Sequence, residues 1–294
     1  MIISAVILLS ILFLVAASIE DLKTGEIPEK ISFGLGGLIL IIAASKSILE
    51  YDVNYLIQSL FLGIIYFAVG YVLYYLGQWG GGDVKVTASL GCALGFLSAN
   101  GFSWPSSTWV PFQANFFINV AVLSTPYVLI YTIIIGLSKP DLFRKFFNSF
   151  RQEKLMTLVF ISSFAPLLLA AYTKNLLLVE VYALIPLLVL STIYLKIVES
   201  EAMRKTISVN DIKEWDIVAE DVKSEGKTIA WKRDIEGVSK KQIEEIQKLA
   251  EIGMIPKDIT IKWGVKFAPT LLLAFIFTVW KGNLVELIII YLIS

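Results

Sequence analysis

Ile2-Ile3-Ser4-Ala5-Val6-Ile7-Leu8-Leu9-Ser10-Ile11-Leu12-Phe13-Leu14-Val15-Ala16-Ala17 runs without a charge and is followed at once by Ser18-Ile19-Glu20-Asp21-Leu22-Lys23. A secretory signal would begin with a basic segment and lead into a small-residue cleavage site, whereas this stretch lacks the basic segment and leads into Glu20-Asp21-Leu22-Lys23. It reads as a first transmembrane helix. Similar apolar runs recur at Ile31–Leu49, Tyr55–Leu76, Val84–Ala99, Ala114–Leu137, Thr157–Tyr172, Leu176–Ile197 and Val265–Trp280. A further run, Leu284–Ile293, is too brief to span alone. A helix needs about 20 residues to cross the hydrocarbon core, and several runs sit near or below that length, so about 6–8 spans are expected. The chain is 294 residues long and 56% hydrophobic, far more than a soluble domain of that length has use for. The fold expected is an all-α polytopic membrane helix bundle, with a small α+β cytoplasmic domain inserted before the last transmembrane helix. The expected division is 1–197, 198–264 and 265–294.

Histidine is absent and Cys92 is the single cysteine, inside an apolar run. Ser-His and Cys-His hydrolysis need an imidazole base, and His-Glu-x-x-His metal sites need two imidazole ligands. Those routes are closed, and no Ser-Lys pair stands out in their place. Carboxylates remain. One cysteine also excludes an internal disulfide, so redox compartment is not readable.

Charge sets an expected orientation. With the N-terminus outside and eight alternating spans, residues 18–30, 77–85, 138–156 and 198–264, with Lys196 and Lys266 at their edges, hold 22 of the 25 Lys and Arg. Only Lys46, Lys174 and Lys281 fall on the other side. Lys and Arg in short loops favour the cytoplasm, and 138–156 alone supplies Lys139, Arg144, Lys145, Arg151 and Lys154. The outward loop Phe102–Gln113, with two prolines, two tryptophans and no charge, suits the headgroup region. Under this topology Asp21, just past the first span, and Asp83, at the start of the fourth, reach the same cytoplasmic surface.

The sharpest local feature is Gly77-Gln78-Trp79-Gly80-Gly81-Gly82-Asp83-Val84-Lys85. Glycines admit dihedrals closed to other residues and let another backbone approach. The ionised form of an acid at a helix N-terminus is favoured by the dipole. A plain turn with a capping aspartate accounts for these residues equally well, and Asp21 alone reads as ordinary juxtamembrane charge, with Pro28 opening the second helix. The two acids at one depth, in a chain without another general base so placed, change that balance.

Asp21 followed by Ile27-Pro28-Glu29-Lys30-Ile31, then Gly80-Gly81-Gly82-Asp83-Val84-Lys85-Val86 and Ala88-Ser89-Leu90-Gly91, resembles the signature of the type IV prepilin and archaeal preflagellin peptidases. These are Gly-x-Gly-Asp membrane aspartic peptidases, and the likeness covers about 35 residues. A small-residue helix follows, here with Gly91, Ala93 and Gly95, and Ile261–Pro269 more loosely resembles the lead into the last helix of archaeal members. Bacterial members often carry Cys-x-x-Cys pairs in an early loop and methylate the new N-terminus. This chain lacks both the cysteines and the loop, so it resembles the archaeal, peptidase-only branch.

The resemblance implies that Asp21 and Asp83 are catalytic, holding a water between them for peptide-bond hydrolysis. Two carboxylates a few ångströms apart do not both ionise cheaply, so the pair shares a proton. Which of the two is the base stays open. Gly80, Gly81 and Gly82 would bind the extended substrate. The implied partners are a protein with a short basic prepilin-like or preflagellin-like leader and the membrane lipid. No nucleic acid, no metal and no cofactor is expected, and the oligomeric state is open. Lys85 is read as a bystander that orients the helix start or snorkels. A transporter coupling protons or cations through its acids would place them at mid-membrane depth within a repeat. Only Glu180 interrupts a span, close to one end, and no repeat is evident. A bare membrane anchor for 198–264 leaves the glycine-rich aspartate unexplained.

Within 199–262, Thr206–Ala219 and Lys227–Lys232 suggest short strands, with Glu225-Gly226 as a turn. Ser239-Lys240-Lys241-Gln242 reads as a capping box that opens an amphipathic helix, with Ile243, Ile246, Leu249 and Ala250 on one face and its end near Gly253. Residues 198–264 carry 12 Lys and Arg against 14 Asp and Glu, so anionic lipid offers the segment no strong attraction.

Overall fold

The computed structural model describes residues 2–102, 111–137, 139–173, 176–224, 226–232, 234 and 237–293. Most of the loop Phe102–Gln113 (residues 103–110), Lys174 and Glu225 lie outside the described residues, as does the side chain of Glu180. In chain order the helices are α1 (Ile2–Thr24), α2 (Glu29–Leu49), α3 (Asn54–Tyr75), α4 (Gly81–Ala99), α5 (Phe112–Leu137), α6 (Pro140–Gln152), α7 (Lys154–Ser162), α8 (Ala165–Thr173) and α9 (Leu176–Glu201). Strands β1 (Arg204–Ser208), β2 (Ile217–Val218), β3 (Val222–Ser224) and β4 (Lys227–Ala230) follow, then α10 (Lys240–Glu251), β5 (Asp258–Lys262), α11 (Ala268–Lys281) and α12 (Leu284–Ile293). The chain divides into two compact units, Met1–Tyr127 with Val265–Ser294, and Val128–Gly264.

Among the described residues α1, α2, α3 and α5 are each long and apolar enough to cross a membrane, and two bent pairs raise the number of candidate spans to six. One pair is α6 with α7 and α8, meeting at 82°, and the other is α11 with α12, at 61°. The expected runs Thr157–Tyr172 and Val265–Trp280 thus become parts of broken helices. On α1 to α3 Leu8, Leu12, Ile41, Phe61 and Ile64 are exposed. Apolar surface on this scale is stable only against hydrocarbon.

In the first unit α4 is the central helix, packed on α3 and α2, while α1 packs on α11. A helix apolar on every side is a buried one, and Leu90, Ala93, Leu94, Phe96 and Leu97 of α4 are fully enclosed. Its approach to α3 depends on two glycines one turn apart. A Cβ on Gly91 would lie 2.5 Å from the Leu62 carbonyl oxygen and 2.6 Å from Tyr66 Cβ. One on Gly95 would overlap the Gln58 carbonyl. Without side chains at these points the two backbones come into direct contact, which is how helices gain packing where no water drives them together. On its other side Ser89 donates to the Ser32 carbonyl of α2 at 2.5 Å. The turn into α4 begins at Gly77, whose φ of 70° ends α3 as the Gln78 N–H bonds the Leu73 carbonyl at 2.9 Å. At the α11–α12 break Asn119 of α5 donates to Thr278 Oγ1 (2.9 Å) and the Gly282 carbonyl (2.7 Å), and accepts the Leu284 N–H at 2.9 Å.

The second unit contains a three-stranded antiparallel sheet in the order β1-β5-β2 and the hairpin β3-β4. The expected strand Thr206–Ala219 is two short strands with a 3-10 turn, Val209–Asp211, between them. β5 lies between them in register Ile207↔Ile259 and Val218↔Ile261. It has the apolar alternation of a strand, and reading it only as a lead into the last helix missed it. α10 begins at Ser239 as expected: the Gln242 side chain reaches back to the Ser239 N–H at 2.8 Å. Ile246 and Ala250 then close over Val209, Val218, Ile229 and Ile259. The loop expected at 138–156 holds α6, which begins at Pro140 and buries Leu142 and Phe146, the latter edge-on to Tyr194 of α9.

Candidate active site

Asp21 occupies the last turn of α1 and Asp83 the first turn of α4. Both are buried, with 6% and 8% of their surface exposed, where an unpaired carboxylate is costly. Each accepts a hydrogen bond from a backbone amide. The Gly80 N–H donates to Asp83 Oδ2 at 3.0 Å, the reach-back of an acid at the third helical position to the residue before the helix. The Ala268 N–H, at the start of α11, donates to Asp21 Oδ2 at 2.9 Å. The two carboxylates stand close enough for Asp21 to act electrostatically on Asp83. The fold therefore brings together the acids that the sequence paired on depth and on the resemblance.

The three glycines differ. Gly80 and Gly81 are exposed and Gly82 is partly covered. A Cβ on Gly82 would come within 3.2 Å of the Ile27 side chain, so the Ile27-Pro28 segment after α1 packs on the glycine turn. A Cβ on Gly81 would meet nothing within 4 Å. Open backbone thus lies directly beside a buried carboxylate. Lys85 pairs with Glu29 at 2.6 Å and ties the starts of α4 and α2 together at an exposed edge.

Sequence reading missed what holds Asp21. α11 starts with Pro269 in its first turn, so Ala268 presents one of the amides that no helix satisfies internally. That much is legible in Ala268-Pro269, but its carboxylate partner lies 247 residues earlier.

Two aspartates buried at one site of a helical membrane protein supply the groups that an intramembrane aspartic hydrolase needs. The chain matches the profile of the type IV leader peptidase family over residues 8–139, the stretch carrying both acids. It is accordingly a membrane-embedded aspartic endopeptidase that removes leader peptides. Prepilin peptidase EppA of Methanothermobacter thermautotrophicus is similar along nearly its whole length, 23% identical over 354 aligned positions that cover 91% of this chain and 92% of that protein. No solved structure matches the chain.

Proposed function

We propose that this peptidase removes the short leader of prepilin-like or preflagellin-like proteins at the cytoplasmic membrane face, with Asp21 and Asp83 as its catalytic pair. The observation that carries the reading is the burial of both acids at one site, each with an oxygen fixed by a backbone amide. Similarity to a prepilin peptidase supports the substrate class. A water between the carboxyl groups gives a proton to the ionised acid as its oxygen adds to the scissile carbonyl, whose oxygen takes the proton of the other acid. Collapse of the tetrahedral diol breaks the C–N bond, and the nitrogen leaves with a proton. Gly80, Gly81 and Gly82 admit the substrate in extended form, since a helix hides its carbonyls in its own hydrogen bonds. The substrate's apolar helix lies in the bilayer, and its leader junction meets the acids at the surface.

The test is to incubate membranes containing the protein with a prepilin-type substrate. A product shortened by the leader is expected, and an uncleaved substrate would remove this reading of the substrate class. Orientation is tested separately. The Lys and Arg of the short segment 138–156 support an outside N-terminus, which puts the appendage at 198–264 on the cytoplasmic side. A cysteine in place of exposed Asn148 or Glu244 is then expected to resist an impermeant thiol reagent in intact cells and to react after lysis. Labelling of either from outside would reverse the topology.

A further inference from the structure

Three contacts converge on the short entry to α11. The Lys266 ammonium donates to the Leu22 carbonyl, one residue past Asp21. That carbonyl is among the last four of α1, which have no partner within a helix. The Tyr127 hydroxyl of α5 donates to the Lys266 carbonyl. The Phe267 ring lies 5.7 Å from the buried ring of Trp79, which directly precedes the glycine turn into Asp83. The entry therefore touches the framework of both acids, through the Ala268 N–H on Asp21 and the Phe267 ring on the anchor of the Asp83 turn.

A lysine beside a buried carboxylate commonly takes it as its hydrogen-bond partner. Lys266 acts on Asp21 only through its charge. Its hydrogen bond goes to the α1 backbone, while the amide two residues on holds Asp21 Oδ2. Resting on the reading of Asp21 and Asp83 as the working pair, we infer that Lys266 is a positioning residue for Asp21. Its ammonium ties the entry of α11 to the end of α1, which keeps the Ala268 N–H on Oδ2 and fixes the plane of the carboxylate relative to Asp83. Proton transfer demands that alignment at the moment of attack, whereas binding of the substrate's leader and apolar helix does not.

The test compares the full-length protein with Lys266→Met, Lys266→Arg and Tyr127→Phe, using purified prepilin-type substrate and thermal unfolding in the same detergent. Lys266→Met is expected to lower kcat by about 10- to 100-fold, the scale of a small misplacement of a catalytic group, with KM and the unfolding temperature near the parent. Lys266→Arg, whose guanidinium reaches the same carbonyl, retains most of kcat. Tyr127→Phe lowers kcat less and leaves KM unchanged. A general loss of structure would move the unfolding temperature along with kcat and would not be relieved by arginine. Parental kcat in Lys266→Met, or a loss confined to KM, overturns the inference. If Lys266→Met does not assemble, Tyr127→Phe decides: reduced kcat at unchanged KM supports the inference and parental kcat overturns it. A substrate left uncut by the parent, or full turnover in an Asp21 variant, strikes instead at the catalytic pair.

Discussion

Asp83→Asn is expected to abolish leader cleavage, and Asp21→Asn to do the same, in proteins that insert and unfold like the parent. The amide is nearly isosteric with the carboxylic acid and keeps an acceptor oxygen. In each variant that oxygen can still take the backbone N–H that holds the parent side chain, from Gly80 at position 83 and from Ala268 at position 21. What the amide cannot do is exchange a proton. A positioned acid or base contributes roughly 10²- to 10⁴-fold, and removal of one member of a pair that works as a unit takes most of the joint effect. Turnover below about one-thousandth of the parent is therefore expected for each single variant, with little further loss in the double. Substrate mobility on gels gives the rate, and thermal unfolding shows whether the bundle survived. Full turnover in either folded variant would leave the pair without its catalytic role.

The largest effect on assembly is expected from Gly95→Val. The new Cβ would stand inside the Gln58 carbonyl and beside Ser59 Cα, both backbone of α3, so no rotamer change relieves it. The same holds one turn away at Gly91. Overpacking relieved by side-chain shifts costs about 1–3 kcal/mol, and a clash of backbone with backbone belongs at or above the top of that range. Because α4 is the helix on which both α2 and α3 rest, the loss should appear as a lower yield of monodisperse protein and a lower unfolding temperature. Gly81→Ala is the control for assembly, since its Cβ enters open space. An unchanged unfolding temperature for Gly95→Val would mean that α3 and α4 do not meet at these glycines.

The apolar helices, the two acids and the start of α10 were legible because their signals are local, while the number of spans, four to six among the described residues where eight runs were read, was not. An apolar run, an acid after a glycine turn, or a serine three residues ahead of Gln242 is complete within a few positions. The partner of Asp21 is not a local property. Ala268-Pro269 announces a helix start, but nothing near it says which carboxylate that start will meet, because packing of α1 on α11 decides it. β5 failed differently. Its alternation is plain in Asp258-Ile259-Thr260-Ile261-Lys262, but five residues beside a helix lead acquire meaning only from β1 and β2 on either side. α6 was hidden by its charges. Arg144 and Lys145 mark a loop to a count of basic residues, while Leu142 and Phe146, one turn apart, form the stripe of an amphipathic helix.

The amide on Asp21 has a consequence for how the protein is made. A ribosome completes α1 and α4 early, and a nascent chain that has passed residue 139 already contains both acids and the whole stretch that matches the family. Asp21 still lacks its donor, which is translated 247 residues after it. Until α11 is made, the carboxylate lacks the Ala268 N–H. With Asp21 as one of the proposed catalytic pair, full activity is then expected only once this C-terminal helix is in place.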